Sequence, residues 1–285
     1  MLNVFAQSYL EYNFQMEQSV YSLKEWREAV LPQLRALTFP DSEIKNVTLL
    51  AYFFWRDERI ETEFSAIECA FLAAFRCLGL MKAVLVTNRI TPRMKSFAEH
   101  YQVEIQMDSA LDSPDGVKAL CIDSVSRLYS RFHTDYVLTL QTDGFPLNAG
   151  LERFLESYDY VGAPFPGHIY WYDFYPYPRF AVGNGGFSLR SRAICEAASI
   201  AYRKISRWIP YSQFFFGDDV FYCKTMPFFS SAWRRRFKYP TVDVALQFSI
   251  GFDYPTPKIA SLGFHAGGFN EYCKRFGVPF GELLR

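Results

Sequence analysis

The sequence predicts an α/β fold, a mixed and mostly parallel sheet with helices on both faces. Two observations carry this. Between residues 47 and 141, short apolar and β-branched runs alternate with longer stretches whose apolar residues recur every three or four positions. That is the pattern of strands buried on both faces and joined by crossover helices. Half of the 285 residues are hydrophobic, enough to bury such a sheet and to exclude a disordered chain.

The elements follow in order. Residues 22–37, SLKEWREAVLPQLRAL, read as a helix bent near Pro32. VTLLAYFF (47–54) is the first buried strand. SAIECAFLAAFRCLG (65–79) is a helix, with Ser65 and Glu68 spaced as a capping box and Gly79 as its stop. AVLVTN (83–88) is the second strand, TPRMKSFAEHY (91–101) a helix with Pro92 at its start, and VEIQM (103–107) the third strand. GVKALCIDSVSRLYSRF (116–132) is a helix and DYVLTLQ (135–141) the next strand. Then comes YDYVGAPF (158–165), a short strand closing in a Gly-Ala-Pro turn. Past residue 160 loops lengthen, and Pro, Gly and aromatics accumulate.

Charge and cysteine usage narrow the function classes. Formal net charge is zero, which argues against a dedicated nucleic-acid binder. The basic run WRRRFK (233–238) is either a solvated helix face or a contact for phosphate or a membrane surface. The six cysteines contain no C-x-x-C pair, so no zinc knuckle or redox motif is expected, and Cys69 and Cys77 fall on core positions. This usage fits a reducing cytosol. The N-terminal stretch lacks the basic and apolar regions of a signal peptide, and no apolar run is long enough to span a membrane. The expected location is cytoplasmic, with peripheral membrane contact left open.

Aromatic residues reach 19%, with 29 Phe and 19 Tyr, more than a core needs. The segment 167–180, GHIYWYDFYPYPRF, is crowded with them and has no period. We therefore read it as a ring-lined platform or lid, with Trp171 and Tyr172 as acceptor contacts. Asp143 stands just past the strand 135–141 and is followed by Gly144. A carboxylate there can hold a divalent cation, although an Asp-Gly turn also explains it. Asp218 and Asp219 precede an apolar-spaced stretch and suit a helix start, where capping alone accounts for them. SLGFHAGG (261–268) places His265 in a glycine-rich turn after a short strand, where a lone histidine is usually structural. Three glycines occupy four positions at 183–186, which requires either positive φ or a close approach of something to the backbone. Asn184 is the polar side chain of that loop, placed to hydrogen-bond a sugar hydroxyl. By position, Tyr52, Phe53, Thr87 and Asn88 suit a base or ribose, and Lys118 or Arg127 suit phosphates.

The set QTDG (141–144), YDYVGAP (158–164), GNGGFSLRS (183–191), DDVF (218–221), ALQFS (245–249) and GFH (263–265) resembles the GT-A nucleotide-sugar glycosyltransferases. Within them it looks like a bacterial family of sugar transferases of unknown specificity. The resemblance spans about residues 47–270. It implies a GT-A-like, Rossmann-like sheet in one domain over 1–285. Residues 1–45 would be a helical extension, 46–145 a nucleotide-binding half and 146–285 an acceptor-binding half. It implies that Asp143 is the metal-binding last acid of a D-x-D motif whose first acid is replaced by Gln141. His265 completes the metal shell around Mn²⁺ or Mg²⁺. Gly185 and Gly186 leave room for the donor sugar, and Asp219, beside Asp218, is the base of an inverting transfer. The implied donor is a nucleoside-diphosphate sugar, UDP-linked by preference, and the acceptor a glycan or lipid-linked hydroxyl. Two alternatives remain at this stage: a nucleotidyltransferase, and a non-catalytic carbohydrate-binding protein on a transferase fold. The loop WRDERIETEF lacks the glycines that the former normally needs after its first strand.

Overall fold

The computed structural model describes residues 22–165, 182–209, 211, 217–251 and 260–283. The first part alternates as expected. Helix α1 (Leu23–Arg35) leads to β1 (Val47–Tyr52), α2 (Arg59–Leu78), β2 (Ala83–Thr87), α3 (Pro92–Tyr101), β3 (Val103–Met107), α4 (Gly116–Ser126) and β4 (Tyr136–Leu140). Next come β5 (Gly144–Pro146), β6 (Tyr160–Pro164), β7 (Val182–Ser191) and α5 (Arg192–Ile205). A further helical stretch opens with α6 (Asp218–Val220), passes through a π turn (Phe221–Thr225) and ends in α7 (Met226–Phe229). The described chain closes with α8 (Ser231–Arg236), α9 (Val242–Phe248), β8 (Ser249–Ile250), β9 (Gly263–His265) and α10 (Gly268–Phe276).

Among the described residues the main sheet has the order β3-β2-β1-β4-β7-β6, and a small sheet has the order β5-β9-β8. β1 pairs in parallel with both β2 and β4, while β7 runs antiparallel to β4 and β6. The sheet is therefore mixed and mostly parallel. The chain steps from β1 out to β3 and returns to lay β4 on the other side of β1. That reversal opens a crevice at the carboxyl ends of β1 and β4, where such sheets take their ligands.

Several local expectations need correction. α2 begins at Arg59 rather than Ser65. Ser65 lies inside the helix, with its hydroxyl donating to the Thr62 carbonyl, and Glu68 is buried between Arg35 and Arg93. The capping box is instead at α1, where Ser22 and Glu25 bond each other's backbone N–H groups. α1 continues through Pro32, which lies on its exposed side. The helix predicted to reach residue 132 ends at Ser126 and is followed by a 3₁₀ turn, Leu128–Ser130. Gly162, Ala163 and Pro164 form no turn; they belong to β6, at an irregular step in its pairing with β7.

The core lies on both faces of the sheet. On one face α1 and α2 pack with β5 and α10, and Trp26 sits fully buried among Phe145, Phe269 and Phe280. On the other, α5 and the segment Phe221–Phe237 close over Val137 and Tyr160. The six cysteines are free thiols. Burial pushes Cys69 and Cys195 up to about 12, so both stay protonated and inert near neutral pH. Among the described residues no helix is long and apolar enough to cross a membrane.

Candidate active site

The crevice between β1 and β4 holds a cavity of about 310 Å³, lined by Arg27, Tyr52, Phe53, Trp55, Gln141 and Thr142 among others. One wall is the end of β1, the other the turn from β4 into β5. Asp143 is in that turn, half-buried, and its carbonyl accepts from the N–H of Ala266 at 2.8 Å. Ala266 has a left-handed φ of 52°, unfavourable for a residue with a Cβ. That bond fixes the residue after His265 onto the Asp143 turn.

The glycine cluster lies on β7, and none of Gly183, Gly185 or Gly186 has positive φ. Close approach explains them, and the approaching groups belong to the protein. A Cβ on Gly185 would come within 2.7 Å of the Asp218 carboxylate. A Cβ on Gly186 would overlap the His265 imidazole and the Gln141 amide, and one on Gly183 would stand 2.8 Å from Cys223 Sγ. The expectation that these glycines leave room for a sugar is thus corrected. They leave room for the side chains of the site. Gly144 closes on His265 from the other side, where a Cβ would lie 2.6 Å from the ring.

Two acids meet this strand from α6. Asp218 accepts from Arg190 Nη2 at 2.6 Å. Arg190 is wholly buried in β7 and is held as well by Ser124, Ser188 and the Gly185 carbonyl. Its guanidinium also lies over the rings of Tyr160 and Tyr222, 5.3 and 4.8 Å from their centroids. Asp219 is bonded differently. It accepts from the Val220 N–H at 2.7 Å, and the Gly185 N–H also stabilises its charge. Burial, then the neighbouring charge of Asp218, raise it to about 7. The two adjacent carboxylates thus differ in surroundings: Asp218 is tied to Arg190, while Asp219 is raised into the neutral range. Lys224, buried in the following π turn, is lowered to about 8, chiefly by burial.

His265 is the last residue of β9, not a turn residue, and is buried. Its Nε2 lies 3.2 Å from Gln141 Oε1. An amide oxygen only accepts, so Nε2 carries the proton and Nδ1 keeps its lone pair. Nδ1 is buried with no hydrogen-bond partner. Burial lowers the His265 pKa against the opposing fields of Asp143 and Asp218, which favours the neutral ring that a metal requires. Among the described residues no three His, Cys, Asp or Glu side chains gather as a metal cage. The donor set of Asp143 and His265 suits a hard divalent cation that keeps waters and shares its shell with phosphates.

Other sequence-predicted residues fall elsewhere. Tyr52 lines the cavity while its hydroxyl donates to buried Asp123 at 2.7 Å. Asn88 is buried, and its amide donates to the Trp55 carbonyl at 3.0 Å, which joins two loops. Arg127 is not free for phosphate, being paired with Asp108 and Asp123. The Lys118 ammonium lies over the Tyr211 ring, 5.0 Å away. Asn184 is half-buried opposite Ala163. Trp171 and Tyr172 lie outside the described residues. Sequence reasoning missed Arg190, although an arginine inside an apolar strand demands a partner and was a usable signal.

A first prediction concerns the glycine step. Gly186→Ala is expected to cost about 1–3 kcal/mol by overpacking, read from urea denaturation. Gly281→Ala is the control, since a Cβ there meets nothing within 4 Å. Equal effects at the two positions would show that His265 and Gln141 step aside freely.

Residues 100–265, more than half of the chain, match a family of proteins of unknown function, DUF5672. None of the curated proteins matches the sequence. Among solved structures, core-mannan synthase A of Aspergillus fumigatus in its Mn/GDP form is similar at 10% identity, over 85% of this chain and 91% of that one, with TM-score 0.48. The mannosyltransferase Ktr4p of S. cerevisiae in complex with GDP is similar at 9% identity, over 68% of this chain and 75% of that one, with TM-score 0.39. The apo glycosyltransferase GlyE of Streptococcus pneumoniae TIGR4 is similar at 14% identity over 59% of this chain, which spans 40% of its length, with TM-score 0.38.

Proposed function

The chain belongs to the DUF5672 family of proteins of unknown function, and we propose that it is a GT-A-type glycosyltransferase. It moves a sugar from a nucleoside-diphosphate sugar, UDP-linked by preference, to a hydroxyl of a glycan or lipid-linked acceptor. The observation that carries this reading is convergence. Three segments far apart in the chain bring an acidic pair, an imidazole and an amide onto two adjacent glycines of β7. The Asp143 turn is tied to the same place through Ala266.

The acceptor oxygen attacks the anomeric carbon as the bond to the diphosphate oxygen breaks. The electron pair leaves with the phosphate, and the hydroxyl proton passes to Asp219. A base raised to about 7 is matched to that task at neutral pH. Single displacement inverts the anomeric centre. Asp218 holds Asp219 in place through its bond to the buried Arg190. Asp143 and His265 would hold a divalent cation, Mn²⁺ or Mg²⁺, which when bound would supply positive charge against the leaving diphosphate. Tyr52, Phe53 and Trp55 line the cavity and offer ring faces to the nucleoside. Trp171 and Tyr172 are assigned to the acceptor, and the whole chain is read as one domain at work in the cytoplasm. Exposed Phe228, Phe229 and Trp208, interspersed along the chain with Arg203, Arg207, Arg235 and Arg236, support peripheral contact with an anionic membrane.

The test is a thermal-shift screen of nucleoside-diphosphate sugars with and without Mn²⁺, followed by a donor-hydrolysis assay. The expected result is one donor class that raises the melting temperature only with the cation and is slowly hydrolysed. A free sugar that stabilises the protein while every nucleotide sugar fails would instead favour a carbohydrate-binding protein.

A further inference from the structure

We infer that α1 is part of the donor site and that Arg27 binds the donor's diphosphate, an assignment that rests on the glycosyltransferase reading. α1 precedes every strand of the sheet, yet it is clamped where the chemistry is. Trp26 is wholly buried, stacks on Phe145 at 6.0 Å and donates its indole N–H to the Pro279 carbonyl at 3.0 Å. Phe145 follows the Asp143 turn by two residues. The anchor therefore fixes the position of the next residue, Arg27, against that turn.

Arg27 lines the cavity together with Gln141, Thr142 and Tyr52. Its Nε donates to the Leu23 carbonyl at 3.3 Å, one turn back in the same helix. Among the described residues no carboxylate lies within 4.0 Å of its guanidinium. This sets it apart from Arg35, Arg93, Arg127, Arg131 and Arg190, each paired with a buried or half-buried acid. Burial makes its charge costlier to hold, and Asp143 and Glu63 act on it only at longer range. A half-buried guanidinium with one donor used and a cavity beside it is built to receive an anion. Its planar fork matches two phosphate oxygens. Glu63 lines the same cavity and suits a ribose hydroxyl rather than a phosphate.

The experiment is calorimetry on the full chain in the presence of Mn²⁺ with four probes, UDP, GDP, uridine and guanosine. Proteins compared are the wild type, Arg27→Gln and Arg27→Lys, with melting temperatures recorded for each. Arg27→Gln is expected to weaken the better diphosphate by about 10–100-fold while its nucleoside binds within about threefold of wild type. Arg27→Lys, which keeps the charge without the fork, should fall between. Equal diphosphate affinity in the three proteins would overturn the role of Arg27 and leave the donor-site reading standing. Equal losses for nucleotide and nucleoside would make Arg27 merely structural and also overturn it. If Arg27→Gln fails to fold, the Lys variant decides: wild-type affinity there at an unchanged melting temperature rejects the fork. A wild type that binds neither UDP nor GDP would remove both readings.

Discussion

Asp219→Asn is expected to cut sugar transfer by about 10²–10⁴-fold while donor affinity stays within about threefold, the pattern of a lost general base. The asparagine keeps the shape and the hydrogen bonds to Val220 and Gly185 but cannot take a proton. The pH profile gives an independent reading. Asp219 is raised from the ordinary aspartate value of 3.8 to about 7, first by burial and then by Asp218. Its active form is deprotonated, so the wild-type rate should rise with pH and level off above about 7. The sign for stability is opposite. A carboxyl whose folded pKa is raised contributes stability that is full below 3.8 and is lost as pH climbs through about 7. The Asn variant should lose both dependences and melt no lower than wild type at pH 8. Paired measurements of turnover, donor affinity and product anomer decide the matter. Near-normal turnover in Asp219→Asn would remove the base, and a retained anomer would remove single displacement.

Arg190→Met is expected to destabilise the protein by about 3–5 kcal/mol, the cost of breaking a buried ion pair from one side. Arg190 is wholly buried and binds Asp218, Ser124, Ser188 and the Gly185 carbonyl at once. Its loss leaves those groups facing an apolar side chain and frees Asp218 to move off Gly185. Asp218→Asn should cost less, about 1–3 kcal/mol, because Arg190 keeps its other partners and the faces of Tyr160 and Tyr222. Urea denaturation of both variants and the double mutant would measure the coupling between them. High salt should weaken it only in part, since Arg190 is wholly buried while the Asp218 carboxylate is partly open to solvent. An Arg190→Met variant within about 1 kcal/mol of wild type would mean that the strand tolerates an apolar residue there. The turn beside it would then be held by other contacts.

The sequence alone determined the alternation of helices and strands up to β4. Continuous apolar runs and the 3.6-residue period are local properties of the chain, and β1 to β4 lie where the apolar runs put them. It also placed Asp143 past β4 and the acidic pair at a helix start, because an acid beside a glycine at the end of an apolar run is visible in the run itself; His265, read as a turn residue, instead closes β9. Tertiary structure decided what those residues touch. The glycines of 183–186 looked like space for a ligand, but their Cβ positions are taken by Asp218, His265, Gln141 and Cys223. Gln141 meets His265 across 124 residues, and Arg190 meets Asp218 across 28. The capping box read at Ser65 fails because α2 already begins at Arg59, which leaves Ser65 inside the helix and Glu68 free to pair with Arg35 and Arg93. α1 had no legible role until Trp26 was seen against Phe145. A residue's period tells which face of its own element it occupies. The partner on that face is set by the packing of elements distant in sequence, and no local window contains it.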